Sequence, residues 1–289
     1  MPTVRANGID LKVNRFRSGG PGPRPTLVCV HGLGIVDHSS LAFTLGMPLA
    51  TSADVVLYDL RGHGRSQVPP TGYSMGEQVG DLLALLEALD VATPVHLLGG
   101  SFGGAIAVTA AALRPDAVAS LSLIDAQVPV PGWGDHLAEP LELAADGLRG
   151  DYTTQQIMDV VNVSSARRAA ALAKRASKLL LETSLLADLR AEPGLAPADY
   201  ARIACPVLGL FGDESPILPV ASRLREILPA AEIRILPGAN HYQVFGRHET
   251  RDGIRRFITR IEAERAGDPS ILALGDAADP VPVAADGWG

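Results

Sequence analysis

Six short, nearly unbroken apolar runs constrain this chain most: TLVCV (26–30), DVVLYD (54–59), PVHLLG (94–99), ASLSLID (119–125), PVLGLFG (206–212) and EIRILP (232–237). A strand with one wet face alternates apolar and polar residues. A run that is apolar throughout is read as a strand buried on both faces. Segments with helical spacing separate the runs. SMGEQVGDLLALLEALD (74–90) places Ser74 and Glu77 as a capping box. FGGAIAVTAAALRP (102–115) stops at a proline, while PVASRLREILP (219–229) and ETRDGIRRFITRIEAERA (249–266) are amphipathic. Strands alternating with helices in this way predict crossover units, and therefore a mostly parallel sheet with helices on both faces. The start differs. Ile9, Leu11 and Val13 alternate around the turn ANGID, which predicts an entry hairpin at a sheet edge.

One interval lacks such runs. Between Asp125 and Pro206, the segments EPLELAADGLRG (139–150), TTQQIMDVVN (153–162) and SARRAAALAKRASKLLLETSLLADLR (165–190) read as helices. A structureless loop of that length is disfavoured. Residues 128–200 are therefore expected to form a helical cap, inserted into a core made of 1–127 and 201–265. The cap is expected over the carboxyl ends of the strands, where open α/β sheets bind ligands. Residues 266–289 end the chain with four Asp and no Lys or Arg beyond Ala266, and are expected to be a mobile acidic tail.

Composition narrows the classes. With 47% hydrophobic residues there is material for a large core. The net charge of -7, with no basic block, argues against a nucleic-acid partner. The two cysteines, Cys29 and Cys205, lie in or beside apolar runs and read as buried free thiols, not a disulfide framework or a metal cluster. The stretch MPTVRANGIDLKVNRF lacks the apolar core of a signal peptide, and no apolar run approaches bilayer length. The expectation is a cytoplasmic protein without a membrane partner. Nothing in the sequence reports the oligomeric state.

The chemistry begins at HLLGGSFGGAIAV (96–108), where a buried strand turns sharply into a helix through Gly99, Gly100, Ser101, Phe102 and Gly103. This is G-x-S-x-G in the strand–turn–helix context that makes Ser101 a candidate nucleophile. Side chains at the flanking glycine positions would collide with strand and helix. A serine hydroxyl needs a base. Of the seven histidines, His241 in LPGANHYQVF follows the last predicted strand, the terminal place in the order Ser, acid, His. His31, His63 and His96 read as structural residues, and His38 is expected to face the cavity. Two N–H donors are needed for an oxyanion. They are assigned to Phe102 and to Leu33, with Gly34 the near alternative. Gly32, Gly34 and His38 are the candidate substrate-binding positions.

At this point a resemblance is evident. VHGLG (30–34), YDLRGHGRS (58–66), GGSFGG (99–104), LSLID (121–125), GDESPILP (212–219) and PGANH (237–241), in this order, resemble an α/β-hydrolase-fold protein of the serine hydrolase type. The resemblance runs from about residue 7 to residue 265. It implies a serine-nucleophile hydrolase of a small-molecule ester or thioester working through an acyl-enzyme, with neither cofactor nor metal. The same residues also resemble carbon–carbon bond hydrolases, and acyl transfer or cyclisation would use the same site. A non-catalytic ligand-binding protein is the reading from another class. Serine at the nucleophile position argues against the haloalkane dehalogenases and epoxide hydrolases, which form an ester on a carboxylate.

The sequence departs from the pattern at one place. Relatives usually read G-x-x-D-x-x-x-P after the penultimate strand, and that Asp orients the histidine. Here Gly212 and Pro219 keep the frame, but Ser215 occupies the aspartate position. Three readings stay open: Asp125, at the end of the preceding strand run, takes over; Asp213 or Glu214 serves; or Ser215 stands there and no acid is used.

Overall fold

The computed structural model describes residues 2–17, 24–34, 36–149 and 166–267. Eight strands form one sheet: β1 (Thr3–Ala6), β2 (Ile9–Phe16), β3 (Thr26–Val30), β4 (Asp54–Tyr58), β5 (Val95–Gly100), β6 (Val118–Ile124), β7 (Val207–Gly212) and β8 (Glu232–Leu236). Their order is β1-β2-β4-β3-β5-β6-β7-β8. The first two are a hairpin whose turn uses positive φ at Asn7 (45°) and Gly8 (74°), the hand that matches strand twist. β2 joins the sheet antiparallel to β4, with Val13 opposite Tyr58. From β4 to β8 every pairing is parallel.

The unbroken apolar runs have the predicted cause. Side chains alternate across a strand, and each face meets its own helical layer. Val28 and Val30 of β3 join one core cluster with helices α1 (Met75–Ala88) and α2 (Phe102–Leu113). Leu27 and Cys29 join the other, with Ile254, Phe257 and Ile258 of the closing helix, His248–Ala266. At α1, the Ser74 hydroxyl accepts the Glu77 N–H at 3.2 Å. β8 is the exception to double burial: it is an edge strand, and Glu232, Arg234 and Ile235 are only half-buried. Cys205 is likewise half-buried; Cys29 is buried, and both are free thiols.

The sequence reading missed a helical run after β3, over Ser39–Leu41, Ala42–Gly46 and Met47–Leu49, whose middle part is a π-helix. Gly46 and Pro48 within it erase the ordinary helical signal.

Among the described residues between β6 and β7 there is no strand. There are three helices, α3 (Trp133–Arg149), α4 (Ala166–Leu181) and α5 (Leu185–Ala191), and a single turn at Pro197–Tyr200. The loops that follow β4 and β5 carry this segment. Asp188 Oδ2 accepts the Tyr73 N–H at 2.7 Å, Glu192 Oε1 accepts the Met75 N–H at 2.6 Å, and the Ser184 N–H donates to the Pro70 carbonyl at 2.9 Å. Trp133 stacks on Phe102 with ring centres 6.1 Å apart. Residues 153–162, expected as a helix, and 268–289 of the expected tail lie outside the described residues. No helix among the described residues is long and apolar enough to cross a membrane.

Candidate active site

Ser101 sits between β5 and α2 at φ 52°, ψ -123°, a conformation costly for any residue with a Cβ. The surroundings hold it there. Its N–H donates to the Ile124 carbonyl at 3.1 Å, and its own carbonyl accepts from Gly104 and Gln127 at 2.9 Å each. The flanking glycines are required by close approach. A Cβ on Gly99 would lie 2.5 Å from the Gly103 carbonyl oxygen, and one on Gly103 would run into the Val30 carbonyl of β3. Gly32 faces the nucleophile, since a Cβ there would lie 3.6 Å from Ser101 Oγ.

His241 follows β8, and its Nδ1–H donates to Asp125 Oδ2 at 2.5 Å. Asp125 is fully buried at the end of β6 and itself adopts a positive φ of 42°. Its Oδ1 accepts the Gly212 N–H at 3.1 Å, and its Oδ2 also accepts the Ser215 hydroxyl at 2.5 Å. Of the three readings for the histidine's partner, the geometry brings Asp125 to the ring. Asp213 is bonded elsewhere: its Oδ1 accepts the N–H of Ala239, on the loop after β8, at 3.3 Å, and Glu214 is exposed. The Asp213 side chain thus ties the turn after β7 to the backbone of the loop that leads to His241. Ser215 does not serve the histidine directly; it binds the acid. The imidazole meets Phe245 edge-on, with ring centres 5.9 Å apart, and the exposed Tyr242 at 5.3 Å.

The loop after β3 is fixed by two histidines. The Gly34 N–H donates to His63 Nε2 at 3.0 Å, and the Leu60 N–H donates to His31 Nε2 at 3.0 Å. Each uses its Nδ1–H on a backbone carbonyl, His63 on Arg61 at 2.9 Å and His31 on Gly32 at 2.7 Å. Both rings are therefore neutral acceptors. Burial depresses them, His63 down to about 3, with the neighbouring His31 as the second cause; for His31 the direction is also down. Because the Gly34 N–H is taken, Leu33 is the one left of the two candidates in that loop; the other candidate donor, the N–H of Phe102, lies in the first turn of α2.

His38 does not present Nδ1 to a cavity. It is buried, and Nδ1 is 2.5 Å from Asp59 Oδ1. Burial would raise the Asp59 carboxyl, but hydrogen bonds from His38 and the Arg65 N–H outweigh it and hold it below the usual range. Asp37, His38 and Asp59 bring possible metal-ligand atoms within 4.8 Å of one another. Both Asp59 oxygens accept hydrogen bonds, Oδ1 from His38 and Oδ2 from the Arg65 N–H, and Asp37 Oδ1 accepts the Ser39 N–H and hydroxyl. The cluster reads as loop support. His96 is a core residue, between Ser120 Oγ at 2.8 Å and Glu262 Oε1 at 3.2 Å, and burial lowers it.

Two contacts had no sequence signal: the hydroxyl of Ser215 on Asp125, and Phe245 resting against Gly100. Each joins residues far apart in the chain.

Comparison with known proteins adds the following. Residues 25–156 match the family described as the alpha/beta hydrolase fold. A pimeloyl-[acyl-carrier protein] methyl ester esterase of Chromobacterium violaceum is 31% identical over 262 residues, covering 84% of this chain and 96% of that protein. A dihydrolipoyllysine-residue acetyltransferase component of the acetoin cleaving system of Pseudomonas putida is 43% identical over 109 residues, 38% of this chain but only 28% of that protein. A structure from work on carboxylesterases of Nitrososphaera gargenis superposes with a TM-score of 0.74 at 20% identity, covering 91% of this chain and 100% of that one. At that identity the likeness concerns the fold.

Proposed function

The chain belongs to the α/β-hydrolase fold family, and within it we propose that it is a serine hydrolase cleaving a small-molecule ester or thioester through an acyl-enzyme. One observation carries the reading: a strained Ser101 at the strand–helix turn, in a fold that also holds His241 by Nδ1 on a buried carboxylate. With Nδ1–H given to Asp125, the unprotonated Nε2 is the base. Ser101 Oγ bonds to the acyl carbon as its proton passes to His241 Nε2. The carbonyl electron pair moves to oxygen, where the N–H groups of Leu33 and Phe102 receive it. The tetrahedral centre collapses, the alcohol or thiol leaves, and it takes the proton from His241. Water then repeats the cycle on the acyl-enzyme. Asp125 keeps the tautomer and faces the imidazolium that forms.

The name of the Chromobacterium relative, a methyl ester esterase, supports esters as the first substrate class. The helical segment over the strand ends would supply the acyl pocket. Intact-mass analysis after exposure to a fluorophosphonate tests the reading. The expected result is one adduct on the parent and none on Ser101→Ala. A folded parent that takes no adduct would overturn it and favour a ligand-binding role.

A further inference from the structure

We propose that Ser215 is a positioning residue for the active site, acting on His241 through Asp125; this rests on the reading of Asp125 as the acid. Three observations support it. Asp125 Oδ2 accepts two hydrogen bonds, from Ser215 Oγ and His241 Nδ1, both at 2.5 Å. The direction of the serine proton is set, because Ser215 Oγ accepts the Ile217 N–H at 3.1 Å, which leaves its own hydrogen for Asp125. Ser215 is buried, at 7% exposure, so water does not replace this donor freely.

The consequence is electrostatic as well as geometric. A donor on Oδ2 withdraws charge from the oxygen that holds the histidine, and it fixes the plane of the carboxylate together with the Gly212 N–H on Oδ1. The serine therefore shares the oxygen that holds His241 while aligning the carboxylate. The other ionisable groups on the loops around this pair are few. Asp213 is tied to the Ala239 N–H, Glu214 is exposed, and Tyr242 is exposed against the ring. None of the three shares an oxygen of Asp125.

The same geometry makes position 215 a second seat for the acid. Ser215 Oγ and His241 Nδ1 touch one oxygen, so they lie at most twice 2.5 Å apart. An aspartate at 215 reaches one bond further than serine. It would come within hydrogen-bond range of the imidazole if Asp125 no longer carried charge.

The test follows the His241 ring by NMR titration, with His241→Gln to identify its signal among the seven histidines. In Ser215→Ala the ring's titration midpoint is expected to rise by about half a pH unit, the scale of one hydrogen bond redistributed. Ser215→Thr, which keeps the hydroxyl, is expected to titrate as the parent. Asp125→Asn should lower the midpoint, and Asp125→Asn/Ser215→Asp should bring it back up by about one unit. Fluorophosphonate labelling on the same samples should slow about tenfold in Ser215→Ala, and it reports separately on whether Ser101 is a nucleophile at all. A folded Ser215→Ala whose His241 titrates as in the parent overturns the proposal. If Ser215→Ala does not fold, Ser215→Cys, which keeps the size but weakens the donor, decides: a His241 midpoint equal to the parent's overturns the proposal as well.

Discussion

Asp125 and His241 stand 116 positions apart in the chain, yet Oδ2 of the one lies 2.5 Å from Nδ1 of the other. The carboxylate is fully buried, so the contact is shielded from competing water. Asp125→Asn should reduce kcat/KM for an acyl ester by about 10⁴, since an amide stabilises the wrong tautomer and offers no charge. Asp213→Asn keeps an acceptor for the Ala239 N–H and should stay within about threefold of the parent. Steady-state kinetics on both variants distinguishes them, and equal losses would show that Asp213 has been misread.

His63 takes the Gly34 N–H and thereby shapes the loop that carries Leu33. His63→Ala should free that N–H and loosen the loop. The expected signature is a fall in kcat of about tenfold with KM little changed, because the oxyanion is stronger in the transition state than in the bound substrate. A rise in KM alone would argue for a substrate-pocket role instead.

The same histidine predicts how stability depends on pH. Its folded value is pushed down to about 3 by burial, below the unfolded value near 6.5. The folded state therefore holds it neutral, and the unfolded state binds the extra proton first. That contribution is complete above about pH 6.5 and is lost as pH falls toward 3, amounting to about 2 kcal/mol by pH 5. Urea unfolding midpoints from pH 7 to pH 5 should fall less steeply in His63→Gln than in the parent. Parallel slopes would refute the assignment.

Gly100 and Phe245 form a contact that supports both the elbow and the histidine. A Cβ at position 100 would lie 2.5 Å from the Phe245 ring, whose edge-on partner is His241. Gly100→Ala should displace that ring and lower Ser101 labelling by tenfold or more, on the scale of about 1.4 kcal/mol or above. Because the clash is pairwise, Gly100→Ala/Phe245→Leu should recover part of the loss, a coupling that a double-mutant cycle measures.

Asp188 ties the helical segment to the core by accepting the Tyr73 N–H and the Ser184 hydroxyl. Asp188→Ala leaves the N–H of buried Tyr73 without its acceptor and should cost about 1–3 kcal/mol of stability. If the segment shapes the acyl pocket, KM should rise more than kcat falls. Unfolding curves and ester kinetics on one preparation check both.

Much of this molecule was determined by local pattern. The apolar runs marked β3 to β8, because strands in the middle of a sheet covered on both faces are mostly apolar, and GGSFGG marked the elbow, because only glycine fits beside its neighbours. Sequence placed Ser101 and His241 as candidates through their positions after particular strands. It did not choose the partner of His241. Asp125, Asp213, Glu214 and Ser215 all lie at strand ends on the same side of the sheet, and the choice among them rests on distances between loops. Nor did it reveal that β4, not β3, lies beside the hairpin, since a crossover leaves the same local pattern whichever neighbour it reaches. Only the packed sheet, setting β6 against β7 and β7 against β8, brought the carboxylate of one strand end, the hydroxyl of the next turn and the imidazole of the third onto a single oxygen.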